Sequence, residues 1–220
     1  MDPDLELLDR WCAGDRRAGN ELFQRHFDSV CRFFHNKLDR DFDELVQATF
    51  LACVRSREQF RKQCSFRTYL FAIARHELYA YLRRRRRDAQ HLDFEVTSLA
   101  DLEPTARSLI DRHREHEHLL RALRELPAEQ QVLLELHYWE DLSPTQLAEV
   151  LDIPAATART RLFRARQALR ERMEALASEP APMQRSVEDL DAWARAVRDL
   201  RAAPDPDSDD RGGDGPAGAG

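Results

Sequence analysis

Apolar residues recur along this chain at intervals of three and four almost everywhere. No alternation of apolar and polar residues persists over five or more positions between turn residues, so the pattern predicts an all-α fold. Leu5, Leu8, Trp11 and Cys12 form a first helical stripe, and Leu22, Phe23, Phe27, Val30, Phe33 and Phe34 a second, interrupted by the acidic residues 39–43. Residues 45–54 give a third. After a polar break at 61–65, Tyr69, Leu70, Ile73, Leu78 and Leu82 carry a fourth that runs into five consecutive arginines at 83–87. These four helices are read as one domain, residues 1–88.

Residues 89–104 hold few apolar residues at helical spacing and end in Glu103-Pro104, where proline disfavours helix at the residue before it, so 89–118 reads as a linker. A second domain, 119–177, opens with Leu119, Leu120, Leu123 and Leu126. Pro127 suits the start of the following helix, which carries Val132, Leu133, Leu136 and Tyr138. Ser143-Pro144-Thr145-Gln146 then forms a capping box with proline at the first helical position, followed by Leu147, Val150 and Leu151 on one face. Asp152-Ile153-Pro154 is a tight link, after which a last helix begins near Ala155. Its wheel turns Ala158, Leu162, Ala165, Leu169 and Met173 to the core. Arg159, Thr160, Phe163, Arg164 and Gln167 face the other way, with Arg161 and Arg166 flanking them. Two short helices joined by a tight turn, the second free of acids from Ala155 to Arg170, describe a helix-turn-helix with a recognition helix for the major groove. Beyond it, in an extension over 178–220, Ser186 caps a predicted amphipathic helix bearing Val187, Leu190, Trp193 and Leu200; a disordered tail is predicted from Asp205.

Charge sharpens this picture. The 220 residues carry 34 Lys plus Arg against 40 Asp plus Glu, a net charge of -6, yet the basic residues are concentrated in 67–87 and 155–172. Acidic segments separate and follow these two stretches, a distribution that suits a polyanion gripped at two places. Nothing approaches the roughly 20 consecutive apolar residues that span a bilayer, and the acidic start of the chain is unlike a secretory signal, so the expected location is the cytoplasm. Cys12, Cys31, Cys53 and Cys64 contain no Cys-x-x-Cys pair and read as reduced, mostly buried thiols. His113, His116 and His118, and the pair Cys31 and His35, are the only spacings that invite a metal, and each lacks a spaced partner set; neither a metal nor a cofactor is expected. No phosphate-binding glycine loop or nucleophile elbow points to an enzyme.

Several local runs resemble the bacterial sigma-70 family of RNA polymerase initiation factors in its compact extracytoplasmic-function form, which keeps only the second and fourth regions. The similarity covers about residues 5–88 and 117–175. It is carried by Asp43-Glu44-Leu45-Val46-Gln47-Ala48-Thr49-Phe50, by Phe66-Arg67-Thr68-Tyr69-Leu70-Phe71-Ala72-Ile73-Ala74-Arg75, by Leu126-Pro127 with Gln130, by Leu147-Ala148-Glu149-Val150-Leu151, and by Thr157 with Arg161-Leu162-Phe163-Arg164-Ala165-Arg166. The chain departs from the family's usual residues at His76 (asparagine), Ala80 (aspartate), Tyr69 (tryptophan) and Ala48 (glutamate).

The resemblance implies a non-catalytic protein that gives core polymerase promoter specificity and aids strand opening. Asp43, Glu44 and Gln47 would dock the clamp helices of the largest polymerase subunit, and the second domain would meet the flap. Phe60, Phe66, Tyr69, His76, Arg83 and Arg84 would capture and hold the opened minus-ten element. Strand capture needs aromatic walls for an unstacked base and cations for its backbone. Thr157, Arg159, Thr160, Arg161, Phe163, Arg164 and Arg166 would read the minus-thirty-five element, with Arg161 and Arg166 on phosphates. An anti-sigma partner is a further possibility the resemblance raises. Two rival readings stay open at this point: a stand-alone helix-turn-helix regulator, which has no use for the first domain, and a factor that sequesters polymerase or another sigma factor.

Overall fold

The computed structural model describes residues 2–38, 40–85, 92–102 and 117–176, all within one compact unit spanning residues 1–183. The regular elements among them are helical: α1 (Pro3–Cys12), α2 (Arg16–His35), α3 (Phe42–Ser56) with a 3-10 turn (Arg57–Gln59), α4 (Phe66–Arg85), α5 (Leu99–Leu102), α6 (Glu117–Glu125), α7 (Ala128–Tyr138), α8 (Pro144–Leu151) and α9 (Ala155–Leu176). The all-α expectation is met. The helix ends follow the signals in the sequence to within a few residues.

Asp2 caps α1 by accepting from the Asp4 amide, and Asp15 caps α2 by accepting from Arg17 and Ala18. The α1–α2 crossing is close because Gly19 leaves room for the indole of Trp11; a Cβ there would lie 2.6 Å from the ring. Asp4 ties the same pair of helices by accepting from Arg25 and the buried His26, each at 2.6 Å. Leu8, Leu22, Val30, Phe34, Phe66, Leu70, Phe71, Ala74 and Leu78 close the core of α1–α4, and each is essentially without solvent exposure. Cys53 shares that core, where burial pushes its thiol up to about 12. The expectation of mostly buried cysteines holds for Cys53 alone: Cys12 is exposed, and Cys31 and Cys64 are half-buried.

In the second helical group the capping box at Ser143 is complete. The Ser143 hydroxyl accepts from the Gln146 amide at 3.3 Å, and the Gln146 side chain accepts from the Ser143 amide at 2.9 Å. Asp152 ends α8 in the left-handed conformation (φ 55°), which turns the chain sharply into α9. Ala158, Leu162, Ala165 and Leu169 are buried as the wheel requires, and Met173 is half-buried. They pack with Leu119, Leu123, Val132, Leu136, Leu147 and Leu151.

The two helical groups also pack on each other, α4 lying against α8. Segment 92–102, in the predicted linker, is docked between them. Phe94, 5% exposed, stacks on Tyr79 at 4.1 Å with Arg83 over its ring, while the carbonyls of Phe94 and Thr97 accept from the Glu129 and Ala128 amides. These partners of Phe94 are distant in sequence, and periodicity along 89–104 does not reveal them. The predicted tail helix and His113 and His116 lie outside the described residues, as does the His118 side chain.

Candidate nucleic-acid interface

Three surfaces collect the residues singled out by sequence. On α3, Asp43, Glu44 and Gln47 are all exposed and fall on one face of the helix. The helix start is fixed from α4: Tyr81 donates its hydroxyl to Asp41 at 2.8 Å and accepts from Arg85 at 2.8 Å, holding Asp41 in the left-handed region (φ 63°). Asp43 and Glu44 then sit in the first turn, where the partial positive charge of the helix end favours them. Leu51, 54% exposed, continues this face one turn further, an apolar position at the end of a polar stripe.

The second surface lies on α4 and the loop before it. Phe60 and Tyr69 stack at 4.4 Å, and the Tyr69 hydroxyl shares a 2.5 Å hydrogen bond with Ser56. Burial raises the Tyr69 phenol, an effect eased by that hydroxyl contact, so the ring is a neutral, half-exposed wall. His76 projects into solvent with 79% of its side chain exposed, and Arg83 and Arg84 are exposed on the same helix. Phe66 departs from the expected set. It is wholly buried, its ring against those of His26 and Tyr69, because it opens α4 on the core-facing side. It therefore supports the Tyr69 wall from beneath and presents no face to a base.

The third surface is α9. Arg159, Thr160, Phe163 and Arg164 are exposed; Phe163 is 56% exposed, an aromatic held out in water by a helix whose other face is core. Thr157 is half-buried at the edge. Arg161 and Arg166 are placed differently. Arg161 pairs with Glu129 and, at 2.9 Å, with Glu95. Burial works against its charge, but these two carboxylates outweigh it and hold Arg161 more firmly protonated than usual. Arg166 reaches the Tyr138 hydroxyl at 2.7 Å and the His137 ring nitrogen at 2.8 Å. Both guanidiniums sit at the margin of the exposed face with intrachain partners, contacts that helical spacing alone does not reveal.

Sequence reasoning missed a fourth constellation. Lys37 is fully buried, pairs with Glu135, donates to the Phe33 carbonyl at 2.8 Å and lies over the Phe33 ring. Asn36 and Gln131 also donate to Glu135. Nearby, Glu140 accepts from Arg67 at 2.5 Å, with Arg32 at 3.8 Å. The only hint in the sequence was that Lys37 is one of two lysines in a chain that otherwise uses arginine. Among the described residues no three His, Cys, Asp or Glu side chains gather as a metal site, and Cys31 and His35 have no further ligand there.

Comparison with known proteins agrees with this layout. Residues 22–88 match the model of sigma-70 region 2, and residues 116–169 match that of sigma-70 region 4. The chain belongs to the sigma-70 family, in its extracytoplasmic-function form. Relatives include the ECF RNA polymerase sigma-E factor of Haemophilus influenzae, 29% identical over 184 residues that span 79% of this chain and 96% of the relative. The factor of the same name from Escherichia coli K12 is 25% identical over 182 residues, 79% and 95% of the two chains. Among solved structures, CnrH in complex with the cytosolic domain of CnrY aligns with a TM-score of 0.60 at 21% identity, covering 80% of this chain and all of that one. The sigma factor RpoE from Bartonella quintana, in complex with the anti-sigma factor NepR, aligns at 0.52 and 16% identity over 72% and 98%. At these identities the alignments show a shared fold. The region 2 match covers the α3 and α4 surfaces, and the region 4 match covers most of α9.

Proposed function

We propose that this sigma-70 family chain binds core RNA polymerase, directs it to promoters and helps open them, with no catalysis of its own. The observation that supports this most strongly is the coexistence on one chain of an exposed acidic α3 face, a cationic and aromatic α4, and an outward-facing arginine, threonine and phenylalanine set on α9. Each matches a different step. Asp43, Glu44 and Gln47 offer charge-assisted pairing to a basic polymerase helix. Phe60 and Tyr69 stack an unpaired minus-ten base, His76 reads a base edge through its ring nitrogens, and Arg83 and Arg84 hold the single strand. Arg159, Thr160, Phe163 and Arg164 enter the major groove at the minus-thirty-five element, with Thr157 at the edge of that contact. Arg161 and Arg166 gain phosphate contacts there by exchanging their present partners.

Residues 1–88 and 119–177 are on this reading separate binding modules. An anti-sigma protein, of the kind bound to CnrH and to the Bartonella RpoE, is a fitting partner. No described helix is long and apolar enough to cross a membrane, and a cytoplasmic location follows from the proposed job.

Size-exclusion chromatography with core polymerase purified from the host tests the reading. The full chain is expected to co-elute with core, and core is expected to improve its binding to promoter fragments by at least about 100-fold, since only the complex uses every contact at once. Tight binding of the free chain to duplex DNA, unchanged by core, would instead identify a stand-alone regulator.

A further inference from the structure

Helix α1 ends before residue 22, where the match to sigma-70 region 2 begins, yet contacts run from it to both rings of the Phe60–Tyr69 wall. Two of them leave its last turns for the loop that carries Phe60. Asp9 pairs with Lys62, 53 residues away, and the Arg57 guanidinium lies over the Trp11 indole at 5.0 Å. Lys62 holds the left-handed region (φ 55°), which residues other than glycine, asparagine and aspartate seldom adopt and keep only where neighbours fix them. The Asp9 carboxylate meets it there. At the other end of α1, Asp4 accepts from His26 at 2.6 Å; the His26 ring lies 5.5 Å from that of Phe66, which lies 6.4 Å from that of Tyr69.

The helix that makes these contacts is itself firmly seated. Trp11 fills the space left at Gly19 and meets Phe23 edge-on at 5.0 Å, and Asp4 also accepts from Arg25 at 2.6 Å. The loop has less to hold it. Between the 3-10 turn at Arg57–Gln59 and the start of α4, residues 60–65 adopt no regular structure, and residues 61–63 are exposed. Its far end is fixed by the Ser65 hydroxyl, which accepts from the Thr68 amide at 3.1 Å. A ring selects among bases only when it is held to within about 0.5 Å of its productive place, so whatever fixes this loop fixes what Phe60 can choose.

We propose that α1 is a brace for minus-ten capture, with Asp9 and Trp11 as positioning residues that set Phe60 through the loop over residues 57–65. The inference rests on the function proposed above and deepens it, adding to minus-ten specificity residues that lie ahead of the family match. The opened strand then meets a ring already in place, whereas a loop released from α1 holds the strand without choosing its base.

Electrostatics alone predicts the opposite sign for the same residue. Asp9 is a negative charge on a contact beside a surface that receives a polyanion. Were that charge its whole effect, removing it would free Lys62 for a phosphate, and DNA would bind more tightly with a steeper salt dependence.

Asp9→Asn in the full-length chain separates the two. Asp9 is exposed, its side chain 59% accessible, so the core of α1–α4 is untouched. Holoenzyme formed with host core polymerase is selected on promoter fragments with a randomised minus-ten element and, in parallel, on fragments with a randomised minus-thirty-five element. Asp9→Asn is expected to lower the preference for the best minus-ten base by about threefold, the scale of one exposed ion pair, with the minus-thirty-five profile and core affinity unchanged. Asp9→Glu keeps the carboxylate and is expected to stay close to wild type. A minus-ten profile equal to wild type in Asp9→Asn overturns the proposal, as does tighter DNA binding with the profile kept, which would make Asp9 a screen for Lys62. Equal losses in Asp9→Asn and Asp9→Glu overturn it too, and so does a loss at both promoter elements, which reports a general weakening of the chain. A wild-type holoenzyme with no base preference at minus-ten ends the functional reading itself, and this inference with it.

Discussion

Reversing two charges on α3, Asp43→Lys with Glu44→Lys, is expected to lower the affinity for core polymerase by about 100-fold or more while leaving the fold in place. Both side chains are exposed, neither has a described ion-pair partner, and the apolar side of the helix (Leu45, Val46, Thr49, Phe50, Cys53) is untouched. Two lysines set against a basic partner helix exchange attraction for like-charge repulsion, which costs several kcal/mol at an interface. The stability cost is smaller. Lysines in the first turn oppose the helix end instead of complementing it, at about 0.3–1 kcal/mol each. Titration of labelled core with each variant, beside a thermal melt, separates the two effects. A large fall in Tm with unchanged affinity at low temperature would mean that the acids serve only α3.

Arg164→Ala is expected to act on the other end of the molecule and in a different way. The side chain is exposed on the outward face of α9 and pairs with no described carboxylate, so its removal leaves Ala158, Leu162, Ala165 and Leu169 packed as before. A bidentate arginine on guanine supplies about 1–3 kcal/mol of discrimination against the wrong base, or about 5- to 150-fold. The variant should lose that preference at one base pair of the minus-thirty-five element while binding core normally. Arg166→Ala provides the contrast: on phosphate it weakens all sequences alike and lowers the salt dependence. Holoenzyme binding to a randomised minus-thirty-five library, sequenced before and after selection, gives both answers. An Arg164→Ala profile identical to wild type would remove Arg164 from base reading.

How much of this was legible beforehand depends on whether the signal was local. The Ser143 capping box, the Asp152 turn and the wheel of α9 are set by residues within one or two turns of each other, and each stands in the structure as the sequence has it. Asp43, Glu44 and Gln47 were singled out by the family resemblance, and all three are exposed. Phe66 shows where periodicity stops: an aromatic at helical spacing is a wall or a core residue according to what lies across from it, and here that is His26 on α2. Arg161 and Arg166 were rightly placed beside the outward face, but their partners Glu95, Glu129, Tyr138 and His137 lie between 28 and 66 residues away. Lys37 and Glu135, 98 residues apart, were beyond any pattern of period 3.6. A fully buried lysine is intelligible only once the surface that neutralises it is known.

Transcription from a pool of host genomic fragments by purified host core, with and without the full-length protein, tests whether this chain confers promoter recognition on polymerase. Discrete new start sites that share two upstream elements are expected, with a minus-ten base preference that changes in His76→Asn. Active core that gains no new starts across a range of protein concentrations would show that the chain does not confer promoter recognition.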